Sequence, residues 1–310
     1  RLLSRGLGDV YKRQPLFGAE VTGVDLRTDL TGEDFAEILS AFDQYSILVF
    51  RGQNLSADQH IAFSKRFGAL EILQTGLPGK KNGGGDRIWI SNVDPETDAI
   101  FAPDHPAMLR QISNELWHTD SSFKQIGAKA SLLHARQVPP VGGDTNFVST
   151  RVAFNRLPPE RQEALEKMAV EHDFIYSRSL TVKEDFLSAK QKSEVPPVPQ
   201  SLVVKNPRTG AKALYLGSHA SRIMGWPTER GRALLKELTE LATEEHCIYR
   251  HQWKPHDLII WDNQSTLHRG GGYDHRRYRR VMIRTTVAGD APTISAEEAA
   301  ARAANTAAAA

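Results

Sequence analysis

Leu258-Ile259-Ile260-Trp261-Asp262-Asn263-Gln264-Ser265-Thr266-Leu267-His268 reads as a short apolar strand, then turn-forming residues, then a histidine. Working outward, similar short β runs recur at Leu116–Asp120, Ala130–Gln137, Asp144–Val148, Leu202–Lys205, Lys212–Leu216, Ile248–Arg250 and Arg280–Val287. Short strands separated by long insertions predict a mostly β, α+β chain folded as a double-sheet jelly roll, not alternating βαβ units. Before them lie a strand-like Ala19–Leu26 and an apolar run, Ser46–Arg51. Two helices are also expected there, one capped by Thr31 with Phe35, Ile38, Leu39 and Phe42 at helical spacing, the other capped by Ser56. Pro158–Met168 and Thr228–His246 add two more. Gln74–Met108, rich in Gly, Pro, Asp and Asn, predicts a long loop broken by one strand, Arg87–Ser91.

The 310 residues are 40% hydrophobic and 25% charged, in the range of ordinary globular chains. No apolar run is long enough for a membrane-spanning helix, and the net charge of +2 gives no footing for nucleic acid or an anionic membrane. Of 39 basic and 37 acidic residues, four basic and one acidic fall in Arg1–Gln14, so the rest carries 35 against 36. That basic opening has no apolar core and no cleavage pattern, and is expected to be an extraneous or disordered segment, 1–14. A single domain is expected over 15–290, and the Ala-rich 291–310 reads as a disordered or frayed helical tail without a packing face. A single cysteine, Cys247, excludes an internal disulfide and a Cys-based metal centre. It fits a reducing, cytoplasmic setting. Any metal must then be held by nitrogen and oxygen.

Trp117-His118-Thr119-Asp120-Ser121 supplies such donors. On a strand, residues two apart face the same way, so His118 and Asp120 would enter one cavity. His268 arrives from another part of the sheet. Two histidines and one carboxylate make a facial triad with open positions, suited to Fe(II) that binds a chelating co-substrate and O2. His-x-Asp alone is weak, since such pairs arise by chance and commonly make ordinary hydrogen bonds. A second feature is the alternation of Arg280, Met282 and Arg284 with Val281, Ile283 and Thr285. Either the arginines face solvent on an outer strand, or they line the cavity and each needs an anion.

These strings together resemble the taurine dioxygenase and 2,4-dichlorophenoxyacetate dioxygenase family of Fe(II)- and 2-oxoglutarate-dependent oxygenases. The resemblance spans about Pro15 to Asp290. It includes Phe50-Arg51-Gly52-Gln53, Phe63 to Leu70, Asn114 to Phe123, Pro139 to Thr145, Gly217-Ser218-His219-Ala220-Ser221 and Trp261 to Tyr273. The phenoxyacetate branch is the nearer match. The resemblance implies a distorted, cupin-like jelly roll, the double-stranded β-helix, with His118, Asp120 and His268 as iron ligands. It implies 2-oxoglutarate as co-substrate, its distal carboxylate meeting Thr145 and Arg280, and a small anionic organic substrate near Arg284 and Asn114. Arg280 lies one residue further from His268 than the family spacing, so Arg279 competes for its role. The implied reaction is hydroxylation coupled to decarboxylation of 2-oxoglutarate to succinate and CO2. No nucleic-acid or membrane partner is implied, and a homo-oligomer is admitted.

Where the taurine-type enzyme carries a sulfonate-binding histidine, this chain has Leu73, which disfavours taurine and favours an aryloxyalkanoate-like carboxylate ether. The 74–109 region matches neither branch well. Its Lys80, Lys81 and Arg87 read as a solvated loop. Two rivals use the same residues: a zinc hydrolase, in which Thr145 and the arginines have no task, and a non-catalytic jelly-roll binding module, which would usually have lost a ligand.

Overall fold

A computed structural model describes residues 3–6, 17–71, 86–181 and 188–308. Leu73, Lys80, Lys81 and most of the 1–14 segment lie outside them. The strands are β1 (Leu3–Gly6), β2 (Ala19–Val21), β3 (Ile47–Phe50), β4 (Ile88–Ser91), β5 (Ala128–Gln137), β6 (Thr145–Ser149), β7 (Ala169–His172) and β8 (Val198–Ser201). Then come β9 (Val203–Lys205), β10 (Lys212–Leu214), β11 (Ala220–Ile223), β12 (Tyr249–His251), β13 (Leu258–Asp262), β14 (Thr266–Gly270) and β15 (Val281–Ala288). The helices are α1 (Gly32–Tyr45), α2 (Ala57–Lys65), α3 (Pro106–Ser113), α4 (Thr150–Asn155), α5 (Pro159–Glu166), α6 (Phe174–Ser179), α7 (Ala189–Ser193), α8 (Thr228–Ala242) and α9 (Ala296–Ala308).

The major sheet runs β1-β2-β3-β13-β5-β15-β4, and smaller sheets run β12-β6-β14, β11-β7-β8 and β10-β9. The architecture is the expected α+β, cupin-like jelly roll. Both faces of the major sheet are covered, which is why β3 and β13 are continuous apolar runs and do not alternate with polar residues. Leu48, Phe50, Leu258 and Ile260 pack outward with Phe42 of α1 and Phe63 of α2. Ile47, Val49, Ile259, Trp261 and Met282 pack inward against Phe147 of β6, Tyr249 and Trp253. Burying such side chains stabilises each by roughly 1.5–3 kcal/mol.

Both early helices begin as their caps predict. Thr31 and Asp34 form a reciprocal capping box, as do Ser56 and Gln59. Leu116–Asp120 departs from expectation. It is not a strand but a loop touching the sheet through one antiparallel bridge, His118 to His268. The reason is local: Ser121 takes a left-handed conformation (φ 56°), which ends extended backbone just after Asp120. The predicted Gln74–Met108 loop contains β4, and α3 begins at its end.

The tail is corrected too. It forms α9, and Ala299 and Thr306 are buried. Its packing face is made of small residues, which allow close backbone approach. A Cβ on Gly225 (φ +85°) would sit 2.0 Å from the Ala303 carbonyl oxygen. Arg302 Nη1 donates to the Glu166 carbonyl (2.9 Å) and to Ser201 Oγ (3.0 Å), and Trp226 Nε1 donates to the Thr306 carbonyl (3.2 Å). At the other end, β1 pairs antiparallel with β2. Among the described residues no helix is long and apolar enough to cross a membrane.

Candidate metal and co-substrate site

The jelly roll brings His118 and His268 together through backbone pairing. His118 N donates to the His268 carbonyl (3.0 Å) and His268 N to the His118 carbonyl (2.9 Å). Their rings lie 4.2 Å apart between centroids. Asp120 follows at the turn, with Oδ2 3.7 Å from His268 Nε2. One donor atom from each of His118, Asp120 and His268 lies within 4.8 Å of the others, and all three residues are buried. The side chain of His118 is anchored through Nδ1, 2.7 Å from the Leu116 carbonyl. This leaves Nε2 as the nitrogen that could meet a metal, a common arrangement of imidazole ligands. Trp261 and Phe147 wall the His268 ring, at 4.7 and 6.0 Å. The donor set fits a divalent metal that keeps open positions.

Burial depresses the proton affinity of His118 and, more strongly, of His268, so both imidazoles are neutral donors. Burial alone would raise the Asp120 pKa. The Arg284 charge leads the effects that overcome it and hold the carboxyl well below the ordinary range. Arg284 Nη1 donates to Asp120 Oδ1, and Ser131 Oγ donates to Oδ2 (2.7 Å).

The arginine-bearing face of β15 points inward. Arg280 is 8% exposed and Met282 fully buried, which removes the solvent-facing alternative. The opposite face is buried as well: Thr285 lies under α2, its hydroxyl 2.7 Å from Ser64 Oγ. Arg280 Nε donates to the Gly143 carbonyl (3.1 Å), and no carboxylate pairs with the guanidinium among the described residues. Burial works against its charge, with Tyr273 and Asp144 opposing that effect. Arg279 instead points outward to Asp98 (2.6 Å). Thr145, at the start of β6, is 4% exposed, and its Oγ1 accepts from Trp253 Nε1 (3.0 Å). An indole N–H only donates, so the Thr145 hydroxyl proton remains available. Asn114 is half-buried, and its backbone carbonyl accepts from Gly270 N (2.8 Å) beside the His268 strand.

Several site residues had no assigned role in the sequence reading. Ser131 and Asn263 support Asp120, and Trp253 supports Thr145. Asn263 falls inside the Trp261–His268 string, which was its only signal, whereas Ser131 looks like any small strand residue. His219 also lies close. Burial pushes its pKa well below the usual value. Phe123 and Phe174 flank its ring, at 4.9 and 6.4 Å, and stand 4.7 Å from each other.

Residues 9–286 match the model of the taurine catabolism dioxygenase TauD, TfdA family. An alpha-ketoglutarate-dependent 2,4-dichlorophenoxyacetate dioxygenase of Cupriavidus pinatubonensis is 41% identical over 275 residues, covering 88% of this chain and 95% of its own. An (S)-phenoxypropionate/alpha-ketoglutarate dioxygenase of Sphingobium herbicidovorans is 32% identical over 288 residues, covering 91% and 95%. Among solved structures, AAD-2 in complex with Mn(II) and N-oxalylglycine superposes with a TM-score of 0.82 at 39% identity, covering 94% of this chain and 98% of that one.

Proposed function

Since this chain belongs to the taurine catabolism dioxygenase TauD, TfdA family and is a 2-oxoglutarate-dependent Fe(II) dioxygenase, we propose that it hydroxylates an aryloxyalkanoate-like carboxylate ether. The observation that carries this reading is the convergence of the buried triad with a buried, acid-free guanidinium at Arg280 and a second guanidinium, paired with Asp120, at Arg284. Two inward arginines beside one carboxylate suit two anionic guests. The names of the relatives point to phenoxyalkanoates as the second guest, ahead of taurine.

The roles follow from the hydrogen bonds already made. His118, Asp120 and His268 would hold Fe(II). Arg280 has spent Nε on Gly143, so its terminal nitrogens take the distal carboxylate of 2-oxoglutarate. The Thr145 hydroxyl donates to that same carboxylate. Arg284 faces the metal pocket from the next inward position but one on β15. It is the natural contact for the substrate carboxylate, with Asn114 as a polar neighbour. Phe123, Phe174 and His219 offer flat apolar surface for an aryl ring. When bound, Fe(II) with 2-oxoglutarate and O2 supplies the oxidising chemistry for a substrate C–H bond. The surrounding Trp261 and Phe147 keep water from the donors. Hydroxylation at an ether carbon gives a hemiacetal, whose C–O bond to the aryl oxygen breaks as the hydroxyl becomes a carbonyl, releasing the phenol and an oxo acid.

The test is an oxygen-consumption and succinate-release screen across aryloxyalkanoates, sulfonates, sulfate esters and neutral analogues. Phenol release from an aryloxyalkanoate, dependent on both Fe(II) and 2-oxoglutarate, is the expected result. Turnover confined to neutral or cationic compounds would overturn the substrate assignment. Hydrolysis indifferent to 2-oxoglutarate would instead favour a zinc hydrolase.

A further inference from the structure

We propose that Asn263 and Ser131 are positioning residues that orient Asp120 for the metal through a relay whose hydrogen-bond direction is imposed by groups able only to donate. The inference rests on the metal reading of the triad. Asn263 is fully buried in the turn between β13 and β14. Its Oδ1 lies 2.9 Å from Trp261 Nε1 and 3.2 Å from the backbone nitrogen of Asp120. An indole N–H and a backbone N–H have no acceptor capacity, so the amide must show them its oxygen.

The amide nitrogen is then left facing Ser131 Oγ, at 2.9 Å, and donates to it. Ser131 stands fully buried on β5 and owns one hydroxyl proton. With Asn263 donating into its lone pair, that proton goes to Asp120 Oδ2. The other carboxylate oxygen is met by Arg284, so Asp120 is gripped at both ends. Thr119 Oγ1 also donates to the Asn263 carbonyl, which ties the 117–121 loop to the same turn. The relay therefore ties the 117–121 loop and β5 to the 261–263 turn, which lies more than a hundred residues further along the chain. It holds the carboxylate in one rotamer before metal arrives, so less side-chain freedom is lost on binding.

The test titrates the full chain anaerobically with Mn(II), read by electron paramagnetic resonance of the free ion. It then uses Fe(II) and 2-oxoglutarate, read by the visible band of the chelate. Ser131→Ala is expected to weaken Mn(II) binding roughly 10–100-fold and to shift the chelate band, while the apo chain still unfolds in one cooperative step. Ser131→Thr, which keeps the hydroxyl, should recover most of the affinity. Asn263→Ala should weaken binding similarly, and the double variant should be no worse than the more severe single one, because both act on one chain of bonds. Affinity in Ser131→Ala within about twofold of the parent chain, or losses that add in the double variant, would overturn the relay. If Asn263→Ala does not fold, the Ser131→Ala and Ser131→Thr pair decides alone. Failure of the unmodified chain to bind Mn(II) would overturn the metal reading itself, a different result from tight binding that the variants leave unchanged.

Discussion

At the residue scale, the site works by leaving particular hydrogen-bonding atoms free. Arg280 has its Nε engaged by Gly143 while its terminal nitrogens meet no carboxylate among the described residues, and Thr145 accepts from Trp253 with its hydroxyl proton left available, an arrangement that suits an incoming carboxylate. Replacing Arg280 with Ala should weaken 2-oxoglutarate binding by about thirtyfold to a few thousandfold, from a loss of roughly 2–5 kcal/mol when one partner of a buried charge pair is removed. Anaerobic titration of the chelate band measures this. Arg279→Ala, which removes an exposed pair with Asp98, should leave that affinity within about twofold. His118→Ala should abolish tight Mn(II) binding, while the same variant at His105, outside the triad, should not. The donor types were legible in sequence because two imidazoles and a carboxylate have few other joint uses. The choice between Arg279 and Arg280 was not, because neighbouring residues on a strand differ only in the face they take.

At the element scale, one loop and one helix decide what the strands alone do not. The 117–121 loop delivers two of the three clustered donor side chains although it is no strand. A single backbone bridge to β14 and a left-handed Ser121 replace the ladder that alternation implied. Helix α9 shows a different misreading. A hydrophobic-stripe criterion finds no packing face in Ala-rich sequence, yet small side chains permit the backbone contact at Gly225 and Ala303. Gly225→Ala should therefore undock α9 and destabilise the chain by about 1–3 kcal/mol, the usual cost of overpacking. Urea denaturation measures the loss, and trypsin cleavage at Arg302 should accelerate with it. Unchanged stability and cleavage would show that α9 contributes nothing to the fold. The capped helices α1 and α2 were legible because a capping box is a local contact between residues three apart.

At the scale of the whole molecule, burial sets the pH response. Burial is the leading cause that pushes His60 down to about 3, and His134 and His172 down to about 4. A histidine that is neutral when folded and protonated when unfolded contributes its full stability above the ordinary imidazole pKa. It loses that contribution as pH falls toward the folded value. Stability should thus decline between pH 6.5 and 4, with up to about 2 kcal/mol lost per buried histidine at pH 5. Urea midpoints across that range measure the slope, and a flat profile would show that these imidazoles stay accessible to protons. Periodicity, caps, donor chemistry and the absence of a cysteine framework were determined by the sequence alone, because each depends on residue type and short spacing. Tertiary structure alone decided which arginine turns inward, how Ser131 and Asn263 reach Asp120, and where α9 rests. Those outcomes depend on contacts between residues well separated along the chain, such as Asn263 with Asp120 or Gly225 with Ala303, which only the closed sheets bring together.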